Sequence, residues 1–576
     1  MPTDRAVRGR SSDGPRAGRR RARRRAERGP EVHDGGVRGD AADVLVAGAG
    51  PVGLTAAAEL RRRGVACRIV DRLPARLPYA KAVGIQPRTL EVWDRMGVVR
   101  EALEAAVPMY GQLVYVDGVR RERMEMVLPP EVPYGFAALP QYETERILEE
   151  FLARFGTRIE RGTELVSFAQ DAGGVTCRLA GPEGAEELRT RYLVGCDGAH
   201  SLVRKGLGLA FGGGAFAEEY MLADVRVDWD LPHGYGVRST HLGPDGKPDD
   251  LLVCVPLPGP GRYRVSMLVP PELSSPSVAP DGTAHGLEGG RAPDLSHVRA
   301  VLDRLSPRPA TASDLRWSSV FRISHRIVDR YSDGRVFVAG DAAHIHPPTG
   351  AQGMNTGIQD AWNLAWKLSL AVAGSAHPRL LDSYDAERRP VGEEVVGRTV
   401  RHATRGFSAD PADPAPFLLR EAQLLVGYPG SPVVRRTDGG AHDGPGPGER
   451  APDCGGLTGE VARFPLRLFD LLRDREHVLL LHTDGAPASY VPALAALADG
   501  LPAGRLTAYA VLSEGGTAPA GAAWPVYRDA RGEFARLYGV REPTAFVVRP
   551  DGYLGARLCL PEAEGLAAYL AGVFRD

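Results

Sequence analysis

The residues with the plainest chemical meaning are three glycines near the start of the chain, Gly48, Gly50 and Gly53, which have the spacing G-x-G-x-x-G. In this pattern the first glycine permits a tight turn, the second lets the backbone approach a pyrophosphate, and the third lets a helix pack closely on a strand. The unpaired N–H groups at the start of that helix attract the phosphate anions. The spacing therefore predicts a binding site for a dinucleotide.

A strand, a helix and a second strand are needed to position these glycines. An apolar run at 44–47 precedes them, a helical pattern of apolar residues follows to Leu60 and stops at Gly64, and a second apolar run ends at Asp71. An acidic residue roughly twenty positions after the first glycine bonds ribose hydroxyls in such sites. A glycine-rich turn that binds nothing would not require the two strands and the acid.

Two later segments have the same character, because each places a glycine and an aspartate after an apolar strand. Asp197 follows the strand predicted at 191–194, and Gly340 and Asp341 follow the apolar run at 336–339. A glycine-rich loop comes next, and then a long helix that begins near 353 and ends at Gly374. The carboxyl ends of strands in a doubly wound sheet meet at one cleft, so we expect the three segments to converge there.

The chain has 576 residues and is too long for one hydrophobic core. Alternating apolar residues make its middle mostly β, a stretch rich in Pro, Gly and Asp follows, and strands interleave with helices at the end. We predict an α/β fold with a disordered basic tail at 1–40 and a Rossmann-like dinucleotide-binding domain at 41–205 and 326–400. A β-rich substrate domain is predicted at 206–325 with part of 73–130. A linker at 401–474 and a small α/β domain at 475–576 would follow.

The composition disfavours two classes of partner. Apolar residues make up 43% and charged residues 25% of the chain, which is typical of globular proteins. Residues 1–40 contain twelve arginines and six acidic residues, yet the net charge of the whole chain is −1. The remainder of the chain is therefore mildly acidic and lacks the excess of positive charge that nucleic-acid binding requires. No apolar stretch has the roughly 20 residues of a membrane span. We expect neither a nucleic-acid nor a membrane partner.

The spacing of cysteines and histidines indicates whether the chain could bind a metal ion and whether it functions in a reducing or an oxidising compartment. The six cysteines are scattered and form no CxxC pair, which disfavours a disulfide framework and a zinc site and fits a reducing, cytoplasmic setting. His344 and His346 stand two residues apart in a Pro-rich turn, with Asp341 as the only spare carboxylate. This is a poor ligand set for a metal, so we predict no metal site and a structural role for the histidines.

Together the segments GAGPVG (48–53), CDGAHSLVR (196–204) and GDAAHIHPPTGAQGMNTGIQDAWNLAWKL (340–368), with Tyr384 and ERRP at 387–390, resemble a known family. They are similar to the three signatures of the class A flavoprotein aromatic hydroxylases, the para-hydroxybenzoate hydroxylase and phenol hydroxylase group. The region from about 475 resembles the thioredoxin-like domain of actinomycete polyketide hydroxylases and rifampicin-type monooxygenases. The resemblance covers most of the chain and is far more specific than any one motif.

The resemblance implies bound FAD and transient NADPH or NADH, and it gives each matching residue a role. The pyrophosphate would lie on Gly48, Gly50, Val52 and Gly53, and the adenosine ribose beside Asp71 and Arg72. The flavin phosphates would meet Lys81, where the family usually has arginine. Lysine offers a positive charge but lacks the planar, forked guanidinium group of arginine. The remaining nucleotide would contact Gln141 and Leu165, the ribityl chain Gly340 and Asp341, and the isoalloxazine Gly353, Met354 and Asn355. Asp197 would take part in handling both FAD and NAD(P)H.

The function that follows from the resemblance is monooxygenation. The enzyme would use NAD(P)H and O2 to hydroxylate an aromatic or polyketide-type substrate through a flavin C4a-hydroperoxide, and we assign no protein residue as general acid or base. The positive end of the helix near 353 would favour the negatively charged reduced flavin. An antibiotic-inactivating or Baeyer–Villiger reaction in the same fold stays open, as does a flavoprotein that only sequesters an aromatic ligand. A homodimer is also left open, whereas a flavin disulfide reductase would need a redox cysteine pair.

Overall fold

The computed structural model describes residues 42–79, 82–270, 273, 292–405, 414–435, 443–461, 464–484, 490–501, 504–518, 521, 524–560 and 564–575. The tail predicted at 1–40 and the site residue Lys81 lie outside the described residues. Within the described part of the chain, no helix combines the length and the apolar character that crossing a bilayer requires.

The first two hundred or so residues contain twelve strands and five helices among those described. These are β1 (Val44–Ala47), α1 (Pro51–Arg62), β2 (Cys67–Asp71), β3 (Gly84–Ile85), α2 (Pro87–Met96), α3 (Val99–Ala105), β4 (Val107–Met109), β5 (Gly111–Val116), β6 (Val119–Glu125), β7 (Phe136–Ala138), α4 (Gln141–Ala153), β8 (Glu160–Arg161), β9 (Glu164–Asp171), β10 (Gly174–Gly181), β11 (Gly184–Thr190), β12 (Tyr192–Gly195) and α5 (Leu202–Gly206).

The middle of the chain supplies long strands and then the two longest helices among the described residues. Its elements are β13 (Phe211–Asp228), β14 (Tyr235–Leu242), β15 (Pro248–Pro256), β16 (Arg262–Leu268), α6 (Leu295–Leu305), β17 (Thr311–Val328), β18 (Ser332–Asp333), β19 (Val336–Val338), β20 (His344–Ile345), α7 (Gly353–Val372), α8 (Asp382–Arg405) and α9 (Ala415–Glu421). Short 3-10 helices occupy Gly340–Ala342 and Thr349–Ala351.

The last part forms β21 (Leu457–Gly459), α10 (Leu468–Leu472), β22 (His477–His482), α11 (Val491–Asp499), β23 (Leu506–Ser513), β24 (Val526–Asp529), α12 (Glu533–Leu537), β25 (Thr544–Val548), β26 (Leu554–Cys559) and α13 (Glu564–Val573).

A six-stranded sheet of order β18-β19-β12-β1-β2-β8 carries the three glycine-bearing segments. Strands β19, β12, β1, β2 and β8 run parallel, and β1 and β12 are buried along their whole length. Helix α1 packs against α7 and α4, with Leu54, Leu60, Ile358 and Leu364 in the shared core. Because the segments follow β1, β12 and β19, which are neighbours, their predicted convergence at one edge of a sheet is confirmed.

An eight-stranded sheet of order β20-β17-β13-β16-β15-β14-β5-β6 forms the second layer. Its strands are antiparallel except that β14 runs parallel to β5. Helix α6 covers one face, where Val298 and Leu302 pack with Met221 and Val237 in one core. The opposite face is turned towards the edge of the first sheet where the glycine segments lie, as shown by the cavity that both line.

The C-terminal region contains another six-stranded sheet, of order β21-β24-β23-β22-β25-β26. Strands β22, β23 and β24 are parallel, and β25 and β26 add an antiparallel hairpin. Strand β21 and helices α9 and α10 lie inside 401–474, so the structure differs from the linker predicted there. These elements are only three to seven residues long and are held by burial of residues such as Leu418, Leu457 and Leu468, which composition alone does not reveal.

Candidate active site

One continuous cavity of about 1330 Å³ runs along the edge of the parallel sheet and under the open face of the eight-stranded sheet. Pockets for single small molecules usually have roughly 300 to 1,000 Å³. The cavity is therefore large enough to hold a dinucleotide and a second ligand together.

The glycine-rich turn after β1 forms one wall, and its three glycines are needed for different reasons. Gly48 has φ +98°, and a Cβ there would lie 2.3 Å from the Cys196 carbonyl oxygen. A Cβ on Gly53 would lie 1.9 Å from the Gly48 carbonyl oxygen. Gly50 has ordinary angles, φ −75° and ψ −178°, and a Cβ there would meet nothing within 4 Å. Packing within the protein thus explains Gly48 and Gly53, whereas Gly50 leaves open space that a pyrophosphate would fill.

Val52 and the glycines opposite it explain how closely α1 approaches α7. A Cβ on Gly340 or Gly357 would lie 2.8 Å and 2.7 Å, respectively, from Cγ2 of Val52. Gly340 also has φ +59°. Val52 lines the cavity, whereas Gly53 and Gly340 lie just behind its wall. Gly53 thus allows the close helix packing that its place in the motif predicts, and Gly340 allows close packing behind the same wall. The contacts of both glycines with the nucleotide stay predictions.

Asp71 stands at the end of β2, where its carboxylate accepts hydrogen bonds from the backbone N–H groups of Ala49 and Leu73, each at 2.8 Å. A carboxylate has about four acceptor positions, so it can still receive ribose hydroxyls. Arg72 is exposed and lines the cavity beside it.

Gln141 and Leu165 line the same end of the cavity. The Gln141 side chain accepts from the Ala82 N–H at 3.3 Å and donates to Glu145 at 2.8 Å. Leu165 is buried on β9. Both residues thus line the cavity, as the predicted contacts with the remaining nucleotide require, although the Gln141 amide already has partners in the protein.

Asp197 lines the cavity, but its carboxylate is largely occupied by the start of α5. It accepts hydrogen bonds from Ser201 Oγ at 2.5 Å and from the backbone N–H groups of Leu202 and Val203 at 2.7 and 3.2 Å. Burial raises the pKa of this carboxyl group. In the second segment Arg204 donates to the Ala342 carbonyl at 3.3 Å and so joins that segment to the third, a link that sequence reasoning missed.

The third segment presents three predicted residues to the cavity, Asp341, Gly353 and Met354. Asp341 is exposed, and none of the described residues donates a hydrogen bond to its carboxylate. Asn355 does not line the cavity. Its amide donates to the carbonyls of Gly84 at 2.9 Å and Ala351 at 2.7 Å and accepts from the Gln86 N–H at 2.9 Å, so the side chain fixes the start of α7 to β3. The expected contact of Asn355 with the isoalloxazine stays a prediction.

The two histidine rings of this segment stack with centroids 6.3 Å apart but have different hydrogen-bond partners. His344 is fully buried and bonds Asp360 on α7 at 2.8 Å, while Arg388 on α8 bonds the other carboxylate oxygen at 2.7 Å. His346 lines the cavity beside Gly353, and burial lowers its pKa to about 4, so it is neutral at physiological pH. Among the described residues, no cluster of three or more His, Cys, Asp or Glu could hold a metal ion.

The eight-stranded sheet divides its apolar residues between two faces. Leu222, Val253 and Val255 line the cavity, whereas Met221 and Met267 are fully buried on the opposite face. The cavity face also carries aromatic side chains, among them Trp317 of β17. Trp317 stacks on Tyr79 of the segment after β2, with ring centroids 4.8 Å apart at an interplanar angle of 6°. This wall suits a flat aromatic ligand.

Among the described residues of this sheet, three arginines line the cavity. Arg322 on β17 is paired with Glu219, with Nη2 3.2 Å from Oε1. Arg264 is paired with Asp224, with Nη2 3.0 Å from Oδ2. Arg238 on β14 is half-buried and lines the cavity, and no hydrogen bond or ion pair joins it to any described residue. Burial lowers the pKa of its guanidinium group. A buried cation without a partner is costly, so an anionic group of a ligand would be stabilised there.

Comparison with known proteins supports this geometry. The family model for the FAD binding domain matches residues 41–399. The 6-methylpretetramide 4-monooxygenase of Streptomyces rimosus is 35% identical over 542 residues, which cover 90% of this chain and 91% of that protein. A flavin-dependent monooxygenase of Mycobacteroides abscessus is 34% identical over 526 residues, which cover 89% of this chain and 96% of that protein.

Solved structures agree with the sequence comparison. The anhydrotetracycline hydroxylase of Streptomyces rimosus superimposes with a TM-score of 0.69 at 30% identity and covers 93% of this chain and 99% of its own. An aklavinone-11 hydroxylase bound to FAD and aklavinone gives a TM-score of 0.71 at 28% identity and covers 92% of this chain and 99% of its own. The family resemblance inferred from the sequence is confirmed. The chain belongs to the FAD-binding domain family, and it is an FAD-dependent monooxygenase of the aromatic hydroxylase group.

Proposed function

We propose that this monooxygenase hydroxylates a flat, fused-ring aromatic substrate of the polyketide kind that carries an ionised or acidic oxygen. The observation that carries the proposal is Arg238, a cation without a protein partner among the described residues, set in an apolar and aromatic wall. The relatives named for 6-methylpretetramide, anhydrotetracycline and aklavinone support substrates of this class.

We propose that FAD lies across the strand ends in the order of the three segments. The pyrophosphate would cross Gly50 at the start of α1, the adenosine half would lie by Asp71, Arg72, Gln141 and Leu165, and the ribityl chain by Asp341. The ring would meet Gly353 and Met354. The open space at Gly50 and the free carboxylate of Asp341 fit this placement.

When bound and reduced, FAD supplies the activation of O2 that inserts one oxygen atom into the substrate. The residues of this chain position the ring and exclude water. The N-terminus of α7, which begins at Gly353, directs its positive end towards the proposed ring site and favours the negatively charged reduced form. NADPH is the proposed reductant, with NADH as the alternative.

The test of the proposed function is oxygenation itself. The purified flavoprotein should oxidise NADPH faster when fused-ring phenols are added, and the product should gain the mass of one oxygen atom. A panel of simple phenols, naphthacenes and rifamycin-type compounds would define the class. Tight substrate binding without stimulated NADPH oxidation would instead indicate a sequestering protein, and an ester product would indicate Baeyer–Villiger chemistry.

Arg238→Gln is expected to raise KM for an acidic substrate by roughly tenfold or more, because a hydrogen bond to a charged group contributes about 1.5–3 kcal/mol. The kcat and the flavin content should change little, and Arg238→Lys should recover part of the loss. Arg226→Gln is the matched control, since Arg226 is exposed on β13 and does not line the cavity. An unchanged KM in Arg238→Gln would refute the anionic anchor.

We also propose a thioredoxin-like, structural role for the C-terminal sheet and a cytoplasmic setting. All six cysteines lie in the described residues and are free, Cys454 is buried, and the sequence contains no CxxC pair for disulfide exchange. A homodimer stays a prediction that the mass of the protein in solution would test.

A further inference from the structure

Helices α8 and α9 complete the cavity at the end where the flavin ring is proposed to lie. His402 and Ala403 of α8 and Phe417, Leu418 and Glu421 of α9 line it, next to the turn Thr349–Ala351 that precedes α7. This turn holds two consecutive residues with positive φ, Gly350 at +74° and Ala351 at +54°. The predicted linker thus supplies an acidic and a basic group to the active-site wall.

Glu421 is the acidic group, and it is only 6% exposed. Its Oε2 lies 2.7 Å from the position that a Cβ on Gly350 would take. Gln352 Nε2 donates to the same oxygen at 3.2 Å and to the Glu421 backbone carbonyl at 3.1 Å. No described group donates a hydrogen bond to Oε1. The carboxyl group is therefore packed against the turn with one oxygen left without a protein donor.

The charged groups that face Glu421 come from two helices. Arg398 Nε on α8 is 3.6 Å from Oε1 and His402 Nδ1 is 3.9 Å from it, both beyond hydrogen-bond length. Glu394 on α8 and Arg420 on α9 lie further out, and the turn contributes only the neutral amide of Gln352. Burial outweighs the two arginines and raises the pKa of Glu421, whereas burial and Arg398 lower the pKa of His402.

The reaction consumes one proton: substrate–H + O2 + NAD(P)H + H⁺ gives substrate–OH + H2O + NAD(P)⁺. The O–O bond breaks, one oxygen forms the new C–O bond, and the other leaves as water, with two electrons supplied by the hydride. We propose that Glu421 holds that proton at the cavity wall and delivers it to the departing oxygen, and that His402 then reprotonates Glu421. A small rotation of either side chain would close the 3.9 Å gap between the two groups.

The inference rests on the proposed placement of the flavin ring at Gly353 and Met354. The first test is Glu421→Gln in the holoenzyme, which keeps the shape and the hydrogen bond from Gln352 but cannot titrate. We expect unchanged flavin content and KM, and a kcat lower by roughly tenfold or more, since positioned proton donors commonly contribute at least that much. Glu393→Gln is the control, because Glu393 is exposed on α8, pairs with Arg389 and does not line the cavity.

The pH profile separates proton delivery from a purely structural role. Because the protonated carboxyl group is the donor, wild-type kcat should fall as the pH rises through the pKa of Glu421, and this alkaline limb should be absent in Glu421→Gln. Glu421→Asp should restore the limb with a lower kcat. A Glu421→Gln enzyme with wild-type kcat and an unchanged pH profile would overturn the proposal.

A second readout does not need turnover. Infrared spectra of the apoprotein should show a protonated carboxyl band that persists above the ordinary glutamate pKa of about 4.3 and that is missing in Glu421→Gln. Absence of such a band contradicts the inference about Glu421 even if oxygenation is observed. Presence of the band with no oxygenation of any substrate would instead place the failure in the proposed function.

Discussion

Replacing Gly50 with valine is expected to give a folded protein that purifies without flavin. The backbone at Gly50 has angles that any residue adopts, and a Cβ there would meet no protein atom within 4 Å, so the apoprotein has no reason to be strained. A valine would instead fill the space in which the pyrophosphate is proposed to approach the start of α1. Loss of two charge-assisted hydrogen bonds at about 1.5–3 kcal/mol each predicts a fall in FAD affinity of roughly 100-fold or more.

The flavin absorbance of the purified protein and titration of the apoprotein with FAD measure this effect. Gly135→Val is the matched control, because Gly135 is exposed and also has open space at its Cβ position. Gly48→Val should fail differently and destabilise the apoprotein itself, since its Cβ would collide with the Cys196 carbonyl group. Wild-type affinity for FAD in Gly50→Val would show that the pyrophosphate takes another path.

The sequence alone predicted the convergence of the three segments because it depends on local rules. A strand, a tight turn and a helix place their glycines at the strand end whatever the rest of the chain does. Asn355 shows the limit of such reasoning. Its amide bonds the backbone of β3 and of Gln86, which precede it by some 270 positions, and no local pattern indicates those partners.

The substrate sheet shows a second limit. Alternation predicts that Leu222 and Met221 face opposite sides, but it does not say which side meets the ligand. The structure settles this because α6 covers the face that carries Met221 and Met267. Arg238 could not be singled out for the same reason, since a cation stands out only when its neighbours in space provide no anion.

The segment 401–474 was the least predictable part of the chain. Its proline and glycine content is typical of a linker, and its elements are too short to show a periodic pattern. Burial against distant elements, not propensity, orders α9 and β21. Glu421 therefore became a candidate for proton delivery only once α9 was seen beside the turn before α7.

A fully buried glutamate, Glu387 on α8, is expected to be a strong electrostatic link between the FAD-binding sheet region and the C-terminal sheet. Arg549, just after β25, donates two hydrogen bonds to it at 2.7 and 2.8 Å, and Lys367 on α7 donates one at 2.7 Å. All three side chains are completely buried. The two cations outweigh burial and hold the pKa of the Glu387 carboxyl well below its usual range.

Glu387→Gln should lower the free energy of unfolding by about 3–5 kcal/mol, because it leaves two buried cations without their shared carboxylate. Asp551 still pairs with Arg549 at 2.6 Å, so most of the loss should come from Lys367. Urea unfolding of the flavin-loaded protein measures the effect. Glu393→Gln on the same helix is the control, since Glu393 pairs with Arg389 at an exposed position and should contribute less than about 1 kcal/mol.

The stability deficit, which is the unfolding free energy of the wild type minus that of Glu387→Gln, should also depend on pH in a definite direction. Burial lowers the pKa of Lys367 to about 8 even beside Glu387, and without that carboxylate it should fall further. Consider pH values between the Lys367 pKa in the folded variant and the Lys367 pKa in the folded wild type. In this range Lys367 has lost its proton in the folded variant and keeps it in the folded wild type, while Lys367 is protonated in both unfolded chains. The deficit should therefore shrink as the pH rises towards about 8, by up to roughly 1.4 kcal/mol per pH unit, and stay constant above it. Equal, pH-independent losses in Glu387→Gln and Glu393→Gln would contradict the link.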